Sequence, residues 1–137
     1  MYHKIVVVGN LGRDPEMRYT PSGQAVTNFS IASTRRYSDR NGEQREETIW
    51  FRISVWGKQA EVCNQYLSRG RQVLVEGRLI PDESGNPRTF QRQDGSTGAS
   101  FEINAQTVRF LGNRSDAAGS GGGDAPAGMQ TEDDIPF

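Results

Sequence analysis

The chain contains one cysteine, Cys63, and one histidine, His3. A lone cysteine cannot close an internal disulfide, and one residue of each type cannot supply the spaced ligands of a zinc site. No carboxylates gather on a common face, and His3 is too isolated in sequence to activate the Cys63 thiol. No nucleophilic, acid–base or metal constellation can be assembled from such a set, so the sequence points away from an enzyme and calls for no cofactor and no metal. Long hydrophobic runs are missing too: nothing approaches the roughly 20 apolar residues of a membrane span. The opening MYHKIVVVGNLG has only a four-residue apolar stretch before Gly9, too short for the core of an export signal, and no small-residue cleavage site follows. The expectation is a cytoplasmic protein with no membrane attachment.

Positive charge is absent from the last 23 residues. All 16 Lys and Arg lie in residues 1–114 against 12 Asp and Glu, a balance of +4, whereas residues 115–137 hold five acids and no base, a balance of −5. The net charge of −1 over 137 residues therefore conceals a basic domain joined to an acidic tail. The tail, GNRSDAAGSGGGDAPAGMQ followed by TEDDIPF, has too little apolar content to offset the entropy of folding. The sequence divides into a domain over 1–112, a disordered Gly/Ala-rich linker over 113–131 and an acidic tip over 132–137. Acidity alone suits a solvating tail. The residues Glu132, Asp133, Asp134, Ile135, Pro136 and Phe137 ask for more, because a terminal aromatic ring gains nothing from water and suits a basic-rimmed hydrophobic pocket on a partner.

Through the domain the hydrophobic period is two. KIVVV (4–8), AVTNFSIAS (25–33), TIWFRISVWG (48–57), RQVLVEGRLI (71–80) and SFEINAQTVRF (100–110) read as strands, and the change of parity between Ala105 and Val108 predicts a bulge in the last. Val73, Val75 and Leu79 share one side, as do Phe101, Ile103 and Ala105. KQAEVCNQYLSRG (58–70) has a helical period that places Val62, Cys63, Tyr66 and Leu67 on an apolar face, with Gly70 at the C-cap. Cys63 is then a buried structural thiol. Five strands with one short helix between the third and fourth give an all-β fold, in the order of the five-stranded Greek-key barrel known as the OB-fold.

The third strand is the most informative. Ile49, Phe51, Ile53 and Val55 must face the core, because neighbouring side chains of a strand point to opposite faces. Thr48, Trp50, Arg52, Ser54 and Trp56 therefore face outward, with the two indoles about 20 Å apart at roughly 3.3 Å per residue. One outward tryptophan commonly packs beneath a loop or at a subunit contact. Two of them flanking an arginine form a platform on which unpaired bases stack while cations meet the phosphates. Two polar loops repeat the pairing of cations with an aromatic: RRYSDRNGEQRE (35–46) has Arg35, Arg36, Arg40 and Arg45 around Tyr37, and PDESGNPRTFQRQDGSTG (81–98) has Arg88 and Arg92 around Phe90. Turn residues such as Asn41-Gly42 and Asp94-Gly95 suit ordinary hairpins in either loop.

Taken together, VVVGNLGRDPEMRYTPSGQAVTNFSIAS, WFRISVWGK with AEVCNQYLSRG, VLVEGRL and the terminal DDIPF closely resemble the bacterial single-stranded DNA-binding proteins over essentially the whole chain. The resemblance implies a homotetramer of OB-folds, associated with the nucleoid, that binds single-stranded DNA without sequence preference in DNA replication, recombination, repair and the response to DNA damage. It assigns stacking to Trp50, Trp56, Tyr37 and Phe90, and to Glu132 through Phe137 the recruitment of replication, recombination and repair enzymes. Trp56 stands where the family commonly has phenylalanine and Tyr37 where it has tryptophan; both keep a π-face. An RNA-binding OB-fold would share the platform without needing the tip, and a pure adaptor would use the tip without needing the platform.

Overall fold

The computed structural model describes residues 1–111. Its first strand, β1 (Ile5–Leu11), runs beyond the apolar run that predicts it and ends where the chain turns into a short β2 (Glu16–Tyr19). Two long strands follow, β3 (Ala25–Ser38) and β4 (Gln44–Trp56), paired antiparallel from Val26↔Trp56 to Ser38↔Gln44. A single helix, α1 (Lys58–Tyr66), leads to β5 (Gln72–Leu79), a short β6 (Arg88–Gln91) and the long β7 (Thr97–Phe110).

The strand order is β1-β5-β7-β4-β3, and β1 meets β3 again at Asn10↔Ala32 and Leu11↔Ile31, so five strands close into a barrel. β2 hangs on β3 and β6 on β7. The one parallel contact, Phe51↔Phe101 to Ser54↔Asn104, lies between β4 and β7. Parallel neighbours need a long crossover, and α1, β5 and β6 supply it. Closure leaves the central strands no free edge and puts one face of each inside, where Ile31, Ile53, Val55, Val73, Val75 and Ile103 are fully enclosed.

The predicted bulge is present. Glu76 pairs with Thr107 and Gly77 with Ala105, which leaves Gln106 without a partner on β5. The Gln59 side chain supplies the missing bonds: its Nε2 donates to the Gln106 carbonyl at 3.2 Å and its Oε1 accepts from the Val108 N–H at 2.8 Å. Opposite the bulge the strands approach so closely that a Cβ on Gly77 would overlap the Asn104 carbonyl oxygen.

Three expectations are corrected. α1 packs through Ala60 and Cys63, followed by Leu67 just past its end, while Val62 and Tyr66 are exposed. The small Ala60 lets the helix settle on β3, and the enclosed Thr27 hydroxyl donates to the Ala60 carbonyl at 2.6 Å, fixing its rotation. The helix caps at Leu67 rather than Gly70; Gly70, at φ 91°, serves the following turn and donates its N–H to the Leu11 carbonyl. Leu79 and Phe101 are about half exposed, not core: Phe101 is at the first pair of the β4–β7 ladder and Leu79 at the last pair of the β5–β7 ladder, and both border an open recess with Pro81 and Pro87. Phe101 leans on Phe51, with ring centroids 5.8 Å apart.

Cys63 is enclosed, and burial pushes its thiol from 9.0 up to about 11. A buried neutral thiol is inert as a nucleophile, which matches the structural role its position predicts.

Candidate nucleic-acid interface

Alternation along β4 divides its side chains as the sequence requires. Phe51, Ile53 and Val55 are buried, Ile49 packs against the core, and Trp50 and Trp56 stand 54% and 40% exposed on the other face with Arg52 between them. The partner row on β3 is Ala32 opposite Trp50, Ser30 opposite Arg52, Asn28 opposite Ser54 and Val26 opposite Trp56. Small residues beside the indole and guanidinium leave both standing clear of the sheet. Ser54 is half-buried and its hydroxyl donates to Asn28 Oδ1 at 2.8 Å, so it stiffens the floor of the row.

The connection between β1 and β2 borders the same face, which periodicity alone does not show. The Gly12 N–H donates to the Ser30 carbonyl at 3.1 Å, and a Cβ on Gly12 would come within 2.6 Å of Trp50 Cζ3. Glycine here lets the backbone abut the six-membered edge of the indole. Gly12, Arg13, Ser30 and Trp50 line a recess of about 300 Å³, and a second recess of about 170 Å³ shares Arg13 and Ser30 with it and adds Arg52, Asn28 and the acids Asp14 and Glu16. The loop is anchored where the Asp14 carboxylate accepts the Arg69 N–H at 2.8 Å.

The loop residues are placed differently. The 35–46 segment is largely strand, and Tyr37 is opposite Arg45 on the row that continues the core side, not the row of Trp50 and Trp56. Arg35 lies 4.5 Å from the Tyr37 ring centre and 3.7 Å from Glu47, Arg36 bonds Glu46 at 2.9 Å, and Arg45 bonds Asp39 at 2.9 Å. The Arg45 guanidinium, with the backbone N–H groups of Glu43 and Asn41, holds the Asp39 carboxyl below its usual range. Such exposed pairs contribute little to stability, yet each offsets a positive charge that a phosphate would use. In the second hairpin Arg92 lies 5.6 Å from the Phe90 ring centre and donates to the Thr97 carbonyl, while Arg88 donates to the Pro81 carbonyl. Phe90 is half exposed on β6. The fold thus brings Trp50, Arg52, Ser54 and Trp56 onto one face and carries Tyr37 and Phe90 on separate projecting hairpins. The tip residues Glu132, Asp133, Asp134, Ile135, Pro136 and Phe137 lie outside the described residues.

Exposed indoles with interleaved guanidinium groups can stack planar bases and pair with phosphates. Among the described residues no cluster of His, Cys, Asp or Glu could hold a metal ion, and no helix is long and apolar enough to cross a membrane.

Comparison with known proteins follows the same line. The chain is 40% identical over 117 residues to the single-stranded DNA-binding protein of Neisseria meningitidis serogroup A, an alignment that takes in 85% of this chain and spans 64% of that protein's length. It is 41% identical over 128 residues to single-stranded DNA-binding protein 1 of Chlorobaculum tepidum, covering 91% of this chain and 72% of that one. Its fold matches the Plasmodium falciparum SSB solved in complex with ssDNA, with a TM-score of 0.66 and 27% identity over 81% of this chain and 96% of the other. The model of the Single-strand binding protein family matches residues 2–111, four-fifths of the sequence, and the chain belongs to that family.

Proposed function

We propose that the chain binds single-stranded DNA without regard to base sequence, by stacking bases on Trp50 and Trp56 and meeting phosphates with the arginines beside them. The observation that carries this reading is the pair of exposed indoles flanking Arg52 on one face of a closed barrel. Every base offers a π-face, so stacking is indifferent to sequence, and duplex DNA, whose bases already stack on each other, has none to offer. The protein acts by holding the strand rather than by turnover. Its cellular setting in this reading is bacterial DNA replication, recombination and repair in the cytoplasm, as a homotetramer on the nucleoid, with Tyr37, Phe90, Arg35, Arg36, Arg88 and Arg92 extending the contact along the hairpins.

Titrating the full chain with oligo(dT) is expected to quench its tryptophan fluorescence, with affinity that falls as salt rises. Poly(U) is expected to compete less well than poly(dT), and duplex DNA hardly at all. A preference for duplex, or quenching only by poly(U), would overturn the assignment.

The acidic tip is proposed to recruit partner enzymes, Phe137 entering a hydrophobic pocket and Asp133 and Asp134 meeting a basic rim. Removing residues 132–137 is expected to abolish recovery of replication and repair enzymes from nuclease-treated bacterial lysate while leaving oligo(dT) binding in place. Equal recovery by both forms would reduce the tip to a solvating segment.

A further inference from the structure

We propose that Arg13 and Arg52 together grip one phosphate of the strand, over Ser30 and next to the nucleotide whose base stacks on Trp50. The inference rests on the stacking role of the β4 row and adds to it a contact from the β1–β2 connection. Four observations converge on it.

Arg13 and Ser30 line both recesses on this face, one shared with Trp50 and the other with Arg52. Ser30 is the register partner of Arg52, so the order across the face is Arg13, Ser30, Arg52. The Ser30–Arg52 row lies two residues along the strands from the Ala32–Trp50 row, roughly 6.6 Å at about 3.3 Å per residue, a distance that one nucleotide spans between its base and its phosphate.

Neither guanidinium has a hydrogen-bond or ion-pair partner among the described residues. By contrast Arg35, Arg36, Arg45, Arg88 and Arg92 all do. Three carboxylates border the same place: Asp14 and Glu16 line the second recess with Arg13 and Arg52, and Glu102 is the register partner of Arg52 on β7. Asp14 accepts the Arg69 N–H at 2.8 Å and Glu102 the Ser100 hydroxyl at 2.7 Å, bonds that orient these acids but leave their charge in place, so a phosphate held here needs both guanidinium groups. Two planar guanidinium forks converging on one oxyanion make charge-assisted bonds that a single arginine cannot complete.

The test is the salt dependence of binding to an oligo(dT) of roughly 8 nucleotides, within the span of one OB-fold, followed by tryptophan fluorescence. It compares the full-length protein with Arg13→Gln, Arg52→Gln and the double variant, each checked for an unchanged thermal melt. A shared phosphate predicts that the double variant lowers the log–log slope by about 0.7, the value for one phosphate on a single strand, and that each single variant lowers it by less. It also predicts that quenching at saturation persists in all four proteins. A loss of about 1.4 in the double variant would mean two separate phosphates and would overturn the clamp, as would an unchanged slope. In both those cases persistent quenching leaves the stacking platform standing. An unmodified protein that oligo(dT) fails to quench would remove the platform, and the clamp with it.

Discussion

Replacing Trp50 and Trp56 together with alanine is expected to weaken binding to oligo(dT) by about 2–6 kcal/mol, since each stacked base contributes roughly 1–3 kcal/mol. In affinity this is a loss between about 30-fold and more than about 10⁴-fold. No other pair of changes on this surface removes as much, because phosphate contacts are screened by salt whereas stacking is not. The fold should survive, since both indoles project away from the core. A modest fall in melting temperature is expected from Trp56 alone: its register partner Val26 is only 1% exposed although it belongs to the outward row, and losing the indole opens it to water. Exchange of both tryptophans for phenylalanine should retain most of the affinity by keeping a π-face. Normal oligo(dT) binding by the folded double-alanine protein would show that the strand runs elsewhere.

Ile53→Asp, on the opposite face of the same strand, is expected to unfold the domain. Ile53 is 0% exposed at the centre of the barrel. Burying its side chain contributes about 1.5–3 kcal/mol, which the change forfeits. A buried carboxyl without a partner has its pKa raised by up to 3–5 units, which at pH 7 costs about 4 kcal/mol, the most that the roughly three units between its unfolded value and pH 7 allow. The sum, roughly 5.5–7 kcal/mol at pH 7, rivals the whole stability of a small domain, about 5–15 kcal/mol. The sign with pH follows. A carboxyl whose folded pKa is raised costs stability above its unfolded value near 4 and costs less as pH falls toward that value, so acid should partly restore the variant relative to its behaviour at pH 7. Ile53→Val, by comparison, should cost only about 1 kcal/mol. Circular dichroism across pH measures both. A variant as stable at pH 7 as the parent would mean that this face of β4 is not the core.

Neighbouring residues of one strand thus face the core and the solvent in turn, and that division is legible in the sequence because period-two alternation assigns faces without reference to the rest of the fold. The barrel and its bulge follow from the same signal. What the sequence does not disclose depends on meetings between distant segments. Val62 and Tyr66 look as apolar as Cys63, but the orientation of α1 is decided by the hydroxyl of Thr27, 33 positions away from Ala60. Phe101 alternates correctly with Ile103 and is nevertheless exposed, because it stands at the end of the β4–β7 ladder, beside an open recess rather than inside the barrel. Arg35 and Arg36 read as free cations until the hairpin register sets Glu47 and Glu46 across from them. Gly12 and Arg13 sit in a connection with no periodicity, and only closure of β1 onto β3 brings them beside Trp50. The sole cue was a glycine that no tight turn explained.

That glycine has a consequence for how a strand would be handled. With backbone against one edge of the Trp50 ring and more than half of the residue open to solvent, the indole is a stair tread rather than a slot. A slot must be threaded from an end and emptied before it can be reused. A tread is stepped onto from above, and a base can leave it while its neighbours stay seated. A flexible polymer on such a surface can be handed over one nucleotide at a time, so a competing enzyme could peel the strand away progressively without the protein first letting go of all of it.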